Sequence, residues 1–370
     1  MAQRTDHSGI TNVQFLIQLL KDPERKSISR ILYEFFYLFI ALKAFPGHYF
    51  SRYLFKKGKT NIINYYPWKF LYRMKSYFNN KDVREVMENK LYFDLFYNQF
   101  SISLPEILMF NHRKIFVVGE KSYQVNNTGE FKVLLKDLFK YNSSSDALIV
   151  KKTYWSYGGD RIFKIYLDQI EKDPDQINEL YSVVIKSGYL FQDVVKQHPE
   201  LDKLNPSCLN TIRFDTYIDP NGEIDVISGY IRMSFRNFHV DNICSGGMMV
   251  GLNIQTGKLK KEGYSNIKDT GVKIFTEHPV TKTVFENFTI PYFSEAKELV
   301  KKAAGLMPDL RLVGWDVGIG ESGPVLIEGN SDYDNTGNDL AEEGYGTNEV
   351  FTKKILPEYQ IRKKVKNKFT

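Results

Sequence analysis

A change of hydrophobic period near residue 110 limits the fold of this chain more than any other feature of its sequence. Before it, apolar residues recur at helical spacing, as in Leu32, Phe35, Phe36, Phe39 and Ile40, the pattern of helices with one broad apolar face. From Lys114 onward short β-branched and aromatic runs bounded by Gly, Asn, Asp and Ser take over, at 114–120, 147–155, 161–167 and 188–195, and these read as strands. A helix is expected over 175–187, so residues 110–196 form a small mixed sheet with little helix. Strands follow at 211–219, 223–235 and 246–254, then a helix at 293–305, a hairpin over 312–330 and a short last helix from near Asn348. Helices first and strands with few helices afterwards make the fold class α+β.

The chain of 370 residues is 42% hydrophobic and 25% charged, enough to bury a sizeable core and incompatible with a disordered or collagen-like class. Its two cysteines, Cys208 and Cys244, rule out a disulfide framework, and the opening MAQRTDHSG has no apolar signal region, so the protein is expected in the cytoplasm. The apolar run from Ile31 to Phe50 is broken by Glu34, Lys43 and Pro46 and is not a membrane span. Most of the net charge of +6 sits in the C-terminal RKKVKNKFT, which leaves a near-neutral body and no expected nucleic-acid partner. Charge is nevertheless segregated. Between Glu34 and Asp82 there are lysines and arginines but no acids, and between Arg311 and Lys353 acids but no lysine or arginine, which predicts a basic surface and an acidic site. The basic stretch is rich in aromatics around Arg52, Lys56, Lys59, Lys69 and Arg73, a composition that also suits an anionic membrane surface. Helices packed on their own core, with solvated lysines, are the simpler reading.

Three constellations carry candidate chemistry. In LIVKKTYWSYGGDRIFKI, Lys151 stands at the end of a strand and Gly158 and Gly159 fill the loop before the next; such a hairpin can fold backbone N–H groups and an ammonium over a polyphosphate, or be an ordinary flexible turn. In LVGWDVGIGESGPVLIEGN, residues 318–323 satisfy G-x-G-x-x-G, yet Pro324 and a strand follow in place of a helix, so this is not a dinucleotide-binding turn. It reads as a hairpin with Glu328 and Asn330 on one face. A loop of two residues at Glu321-Ser322 would set Asp316 on the other face and a loop of three at 321–323 would set it opposite Glu328, so three is expected. Two carboxylates and an amide with no lysine or arginine between Leu312 and Thr352 would repel unless a cation intervened, and an all-oxygen set suits magnesium. Third, NTIRFDTYID and GYIRMSFRNFHVDN put Asn210, Arg213, Arg232, Arg236, His239, Asp241 and Asn242 on adjacent strand ends. Arg213 and Arg232 can each grip a phosphate or carboxylate with a planar fork, or serve as structural ion pairs.

Taken in order, Lys151, Gly158-Gly159, FQDVV at 191–195, QHPELDKLNPSCLNTIR at 197–213, VDN at 240–242 with Gly246-Gly247, HPVT at 278–281 and GWD…GPVLIEGN at 314–330 resemble the sugar-transfer-associated ATP-grasp family over roughly residues 104–335. The resemblance implies two α+β lobes clamping ATP, 101–200 the small lobe with the lid and 201–350 the catalytic lobe with the metal site; the residue patterns add a helical region over 1–100, which the resemblance does not reach, and a C-terminal helix and basic tail over 351–370. It implies Lys151 on the α/β-phosphates, a lid over 154–161 with Gly158 and Gly159, a hinge from Gln192 through Asp193 to Val195 holding adenine and ribose, Asn210 beside the nucleotide, Arg213 near the γ-phosphate, and Asp316, Glu328 and Asn330 holding Mg2+. Lys152 stands where many relatives have proline and Asp193 where glutamate is common. Lys151, Arg213 and Arg232 are the expected catalytic residues, and Arg232, Arg236, His239, Asp241 and Asn242 the expected substrate contacts.

The expected activity is that of a Mg-ATP-dependent carboxylate–amine ligase working through an acyl phosphate, with an amino acid or peptide and a saccharide or small metabolite as substrates. A phosphotransferase, and a nucleotide-binding scaffold at the membrane, are the alternatives. Small-molecule carboxylate and amine substrates are the expected partners, together with peripheral contact at an anionic membrane.

Overall fold

The computed structural model describes residues 11–141, 145–154, 162–234 and 247–369, with side chains to 364. Helices α1 (Asn12–Lys21), α2 (Ile28–Leu42), α3 (His48–Ser51), α4 (Trp68–Lys75), α5 (Arg84–Glu88) and α6 (Lys90–Tyr97) come first. Side chains begin several of them: Thr11 and Gln14 form a reciprocal capping box on α1, and Asn89 accepts from Leu91 and Tyr92 at the start of α6, which satisfies amide donors that no helical carbonyl can reach.

The first sheet contains β1 (Ile107–His112), β2 (Ile115–Val118), β3 (Lys121–Gln124), β4 (Ala147–Lys152), β5 (Ile162–Tyr166) and β6 (Gly188–Asp193), in the order β3-β2-β1-β6-β4-β5. Every pairing among its described strands is antiparallel, so the sheet is not mixed as expected. Helix α7 (Thr128–Tyr141) packs on it with α8 (Gln169–Lys172) and α9 (Pro174–Val184). Helix α7 corrects the expectation of little helix here: Phe131, Leu135, Leu138 and Phe139 are its buried face, a spacing that only a helix puts on one side.

After α10 (Pro199–Asp202), the second sheet contains β7 (Thr211–Ile218), β8 (Ile224–Ser234), β9 (Gly247–Leu252), β10 (Leu259–Ser265), β11 (Leu312–Gly320) and β12 (Gly323–Asn330), in the order β10-β9-β8-β7-β11-β12. Helices α11 (Ile267–Thr270) and α12 (Phe293–Gly305) lie between β10 and β11, and α13 (Thr336–Ala341) and α14 (Leu356–Phe369) end the chain. Alternation along the strands divides the sheet into two faces. Ile212, Phe214, Ile231, Met233, Val313, Trp315 and Val317 share a core with Ala296, Val300 and Ala303 of α12. The intervening Arg213, Tyr230, Arg232 and Asp316 face a cleft toward the first sheet.

The helices before residue 100 do not pack on a core of their own. Tyr49, Tyr53, Leu54 and Phe55 join Tyr230, Met249, Tyr264 and Leu340 in one buried cluster, and Leu71, Met74 and Phe78 join Tyr217, Leu312 and Tyr345 in another. Polar contacts fasten the same junction. Arg52 Nε pairs with Asp339 Oδ2 at 3.0 Å, and Asn79 donates to the carbonyls of Leu312 (2.7 Å) and Ser331 (2.9 Å) while accepting from the Leu312 amide (2.9 Å).

The β11–β12 hairpin also differs from expectation. Gly320 pairs with Gly323, so the loop is the two residues Glu321-Ser322, yet Asp316 still pairs with Glu328. The register shifts between Asp316 and Val317, whose partners are Glu328 and Leu326, leaving Ile327 as the extra residue of a β-bulge. The bulge does what a third loop residue was expected to do.

Candidate functional site

Cross-strand partners in an antiparallel sheet share a face, so the register fixes a row of side chains along the floor of the cleft. Glu328, Asp316, Arg213 and Tyr230 follow one another across β12, β11, β7 and β8. From Arg232 the row continues to Met249 and Tyr264 on β9 and β10. The roof is Ile149 and Lys151 of β4, Ile162 and Lys164 of β5, and Gln192 to Val195 at the end of β6. Together they enclose a cavity of about 580 Å3. It is acidic at the β12 end and cationic in the middle; at the β9–β10 end Ser51, Tyr264, Ser265 and Asn266 are uncharged, while Thr336 and Gly337 follow Asp334, which also lines the cavity and accepts from Thr336 Oγ1 at 2.7 Å. Gly337 has no room for a side chain, because a Cβ there would lie 2.3 Å from the Tyr230 ring.

Charges in this cleft are paired across strands. Arg213 grips Asp316 with both Nε and Nη2, the latter 3.0 Å from Oδ2, and Arg232 Nη2 reaches the same Oδ2 at 2.9 Å. Burial works against the Arg213 charge, but Asp316 outweighs it and raises the guanidinium pKa above its ordinary value. Arg232 is steadied by the Thr211 hydroxyl, 3.0 Å from Nε and 2.6 Å from Nη2. Glu328 Oε2 is 3.1 Å from Lys90 Nζ, and its Oε1 accepts from Asn330 Nδ2 at 3.0 Å. Burial alone would raise the Glu328 pKa; Lys90, the Asn330 hydrogen bond and Lys151 hold it well below the carboxylate range instead. Lys151 is buried, and desolvation followed by the charge of Lys90 pulls its ammonium down to about 8 against the attraction of Glu328, Asp94 and Asp316.

Lys151, Gln192, Asp193, Val195, Arg213, Arg232, Asp316, Glu328 and Asn330 therefore line one cavity. Asn210 does not. Its Nδ2 donates to the carbonyls of Leu201 (3.1 Å) and Asn205 (2.8 Å), its Oδ1 accepts from Asn205 at 3.2 Å, and its amide donates to Gln197 at 2.6 Å. Its side chain holds the 197–210 loop together, away from the cavity lining. Gly158, Gly159, Arg236, His239, Asp241 and Asn242 lie outside the described residues.

One expectation about charge is corrected. The acids of 312–330 do not lack cations: Arg213 and Arg232 come from β7 and β8, Lys90 from α6 and Lys151 from β4, none of them visible in the local sequence. Lys90 was missed altogether. It is placed by the Asn89 cap of α6 and by its own amide, which donates to the Thr153 carbonyl at 2.7 Å just beyond β4, and no motif marks it. Lys164, which enters the cavity from β5, and Tyr333, which lines it and whose hydroxyl reaches Asp215 at 3.4 Å, were also missed. The i, i+2 alternation of β5 was the available signal for Lys164.

A family model described as sugar-transfer-associated ATP-grasp matches residues 70–351. The chain belongs to this sugar-transfer-associated ATP-grasp family. The match begins before the 104–335 span of the sequence resemblance and takes in α4 to α6, the source of Lys90. Membership makes ATP the nucleotide of this ATP-grasp protein. No curated protein matches it. Among solved structures it is similar to the ADP complex of an N5-carboxyaminoimidazole ribonucleotide synthetase (10% identity, TM-score 0.39, covering 70% of this chain and 50% of that one). It is also similar to the D-alanyl-alanine synthetase A of Vibrio cholerae (14%, 0.41, 73% and 66%) and to the N5-carboxyaminoimidazole synthetase of Staphylococcus aureus with ADP (12%, 0.41, 72% and 51%). The chain thus spans about half the length of the first of these.

The donor chemistry of the cleft fits magnesium arriving on phosphates. Among the described residues no group of three or more His, Cys, Asp or Glu side chains is placed to hold a metal by itself, and both oxygens of Asp316 are engaged by arginine. Glu328 and Asn330 supply oxygens on one face, and an ion that keeps waters and phosphate oxygens needs only one or two carboxylates from protein.

Proposed function

We propose that this ATP-grasp protein is a Mg-ATP-dependent ligase of the carboxylate–amine type. The observation that supports the reading best is the floor row itself: Glu328, Asp316, Arg213 and Tyr230 side by side, facing Lys151 across the cleft. Lys151, with the 192–195 segment, would bind the nucleotide, and Glu328 with Asn330 and Asp316 would hold Mg2+, which supplies charge neutralisation on the phosphates when bound. Asp316 can contribute only by loosening one of its guanidinium contacts, so it couples ion binding to the posture of Arg213 and Arg232. Those two forks then face the transferred phosphoryl group and the donor carboxylate.

In the reaction a carboxylate oxygen of the donor takes the γ-phosphoryl group, giving an acyl phosphate and ADP. The amine of the acceptor attacks the acyl carbon, phosphate leaves with the electron pair of the C–O bond, and the amine loses a proton to give the amide. The neutral β9–β10 end, lined by hydroxyls and an amide between apolar walls, suits an acceptor rich in hydroxyl groups. An amino acid or peptide joined to a saccharide or a small metabolite, in polysaccharide biosynthesis, is the substrate class that agrees with this lining. The reading places the enzyme in the cytoplasm with peripheral contact at the anionic inner membrane face, helped by the basic tail from Arg362.

The test is a trap. With a carboxylate donor and ATP, hydroxylamine should yield a hydroxamate, and the complete reaction should release free phosphate equal to ADP. ADP formed with a stable phosphorylated product and no free phosphate would identify a phosphotransferase, and no turnover with nucleotide still bound would leave the scaffold reading.

A further inference from the structure

Helix α2 is apolar on the side it turns away from the protein as well as on the side it buries. Ile31, Glu34 and Leu38 face inward, where Glu34 is neutralised by Lys26 and Arg30 and accepts from the Tyr49 hydroxyl at 2.8 Å. Leu32, Tyr33, Phe36, Tyr37, Phe39 and Ile40 are exposed, with Phe36 at 60% and Ile40 at 73%. Helix α1 repeats the arrangement: Leu19 is buried while Val13, Leu16, Ile17 and Leu20 are exposed. Both helices rest on one aromatic hub, Phe15 of α1 lying 6.0 Å and Phe35 of α2 5.9 Å from Phe50, ring centre to ring centre. Single exposed apolar residues are ordinary, but two helices on one hub exposing this many is a surface that water does not favour.

We propose that the outer faces of α1 and α2 form a seat that lies in the headgroup layer of an anionic lipid surface. This rests on the membrane contact included in the proposed function and gives it a different physical basis, apolar insertion in place of surface charge. The charges around the patch decide between lipid and protein as occupant. Lys21, Arg30 and Lys43 are exposed at its rim, whereas Asp22 is buried against Lys56 and Glu34 is buried beneath α2; Glu24 is the exposed acid. Arg30 lies over Tyr33, 5.5 Å from its ring centre; beyond it, the exposed side chains from Leu32 to Ile40 offer no hydrogen-bonding group apart from the hydroxyls of Tyr33 and Tyr37. A protein partner would use such groups for register, while a lipid surface needs none, and rings carrying one polar tip suit the interface. Among the described residues no helix is long and apolar enough to cross a membrane, so the helices would lie on the surface and not span it. Ser51, next to the hub residue Phe50, lines the cleft, so the seat and the neutral end of the cleft share one segment.

The experiment is flotation of the full chain with mixed phosphatidylcholine–phosphatidylglycerol vesicles at low and high salt. The Leu32→Ser, Phe36→Ser, Ile40→Ser triple variant should lower partitioning by about a hundredfold, since burial of apolar area drives it. Wild-type binding should weaken with salt but persist. Nucleotide binding by the triple variant, unchanged, shows that it is folded. Should it misfold, the single variant Ile40→Asp and an environment-sensitive dye on Phe36→Cys, expected to shift to the blue on vesicles, carry the same test. Partitioning that is unchanged in the triple variant, or lost entirely at high salt, overturns the seat while leaving a charge-based membrane contact standing. No binding to any vesicle overturns both, leaving the ligase reading untouched. Self-association of the wild-type chain that the triple variant abolishes would assign the face to a second copy and also overturn the proposal.

Discussion

Raising the pH through about 8 should weaken ATP binding, and Lys151 should be the cause. In the absence of nucleotide, burial and the nearby Lys90 charge bring the Lys151 ammonium from 10.5 down to about 8. At about 1.4 kcal/mol per pH unit, that difference places a penalty of about 3 kcal/mol on the charged form. A bound polyphosphate adds negative charge beside the ammonium and raises its pKa, so the complex binds more protons than the free protein. The affinity is therefore complete below about 8 and falls as pH rises from there toward the higher pKa of the complex, by up to about tenfold per unit. Titrating a fluorescent ATP analogue across about pH 6 to 10 measures the slope. Lys151→Met should bind more weakly at neutral pH, by roughly 1.5–3 kcal/mol for a lost charge-assisted contact, and its affinity should not change through the same pH window. Asp94→Asn should move the wild-type inflection to lower pH, because Asp94 favours the charged lysine. An affinity independent of pH in the wild type, or an undiminished slope in Lys151→Met, would refute the assignment.

Two further substitutions probe the floor and its attachment. Glu328→Gln removes one negative charge while keeping the hydrogen bond to Asn330 available; it should abolish ATP turnover with the thermal melting curve preserved, and turnover at the wild-type rate would remove Glu328 from the magnesium site. Arg52→Ala leaves Asp339 buried without its ion pair, at a cost of roughly 3–5 kcal/mol, and should lower the urea midpoint reported by Trp315, which lies in the core of the second sheet; an unchanged Trp315 midpoint would mean that the first hundred residues are not integral to that lobe.

The parts of this structure that were legible in the sequence are those whose information is local. In TIRFDTYI, Ile212 and Phe214 alternate with Arg213 and Asp215, and the strand presents them to opposite faces as the pleat requires. The capacity of Arg213 to hold an anion was equally readable. Its partner was not, because Asp316 lies 103 residues away and meets it only through pairing of β7 with β11. Register across a bulge is likewise set by both strands and the core beneath them, so loop length alone does not determine which residue stands opposite Asp316. Helix α7 shows the opposite case. Phe131, Leu135, Leu138 and Phe139 have helical spacing, but the strands on either side drew the reading toward sheet. Polar β10, LKKEGYS, has no apolar alternation and pairs with β9 across a register shift, so little in its residues announces a strand.

The first hundred residues look separable in composition, yet the structure makes them part of the site. The cleft-facing side of β8 to β10 exposes Tyr230, Met249 and Tyr264, and the chain from Tyr49 to Phe55 is what covers that end of the sheet. The same segment places Ser51 at the neutral end of the cavity. At the acidic end, α6 delivers Lys90 to Glu328. Helical residues thus occupy both ends of a row otherwise built by strands, one lending a hydroxyl and the other a positive charge. The charge segregation seen in the sequence follows from this arrangement: acids gathered on β11, β12 and the loop after them can stay close together because lysines and arginines from α6, β4, β7 and β8 surround them. On the proposed function, nucleotide phosphates entering such a site would compete with Glu328 and Asp316 for those cations, and a divalent cation that took up the displaced carboxylates would favour the exchange. Magnesium binding would then be coupled to ATP binding through the residues that pair with one another across the floor.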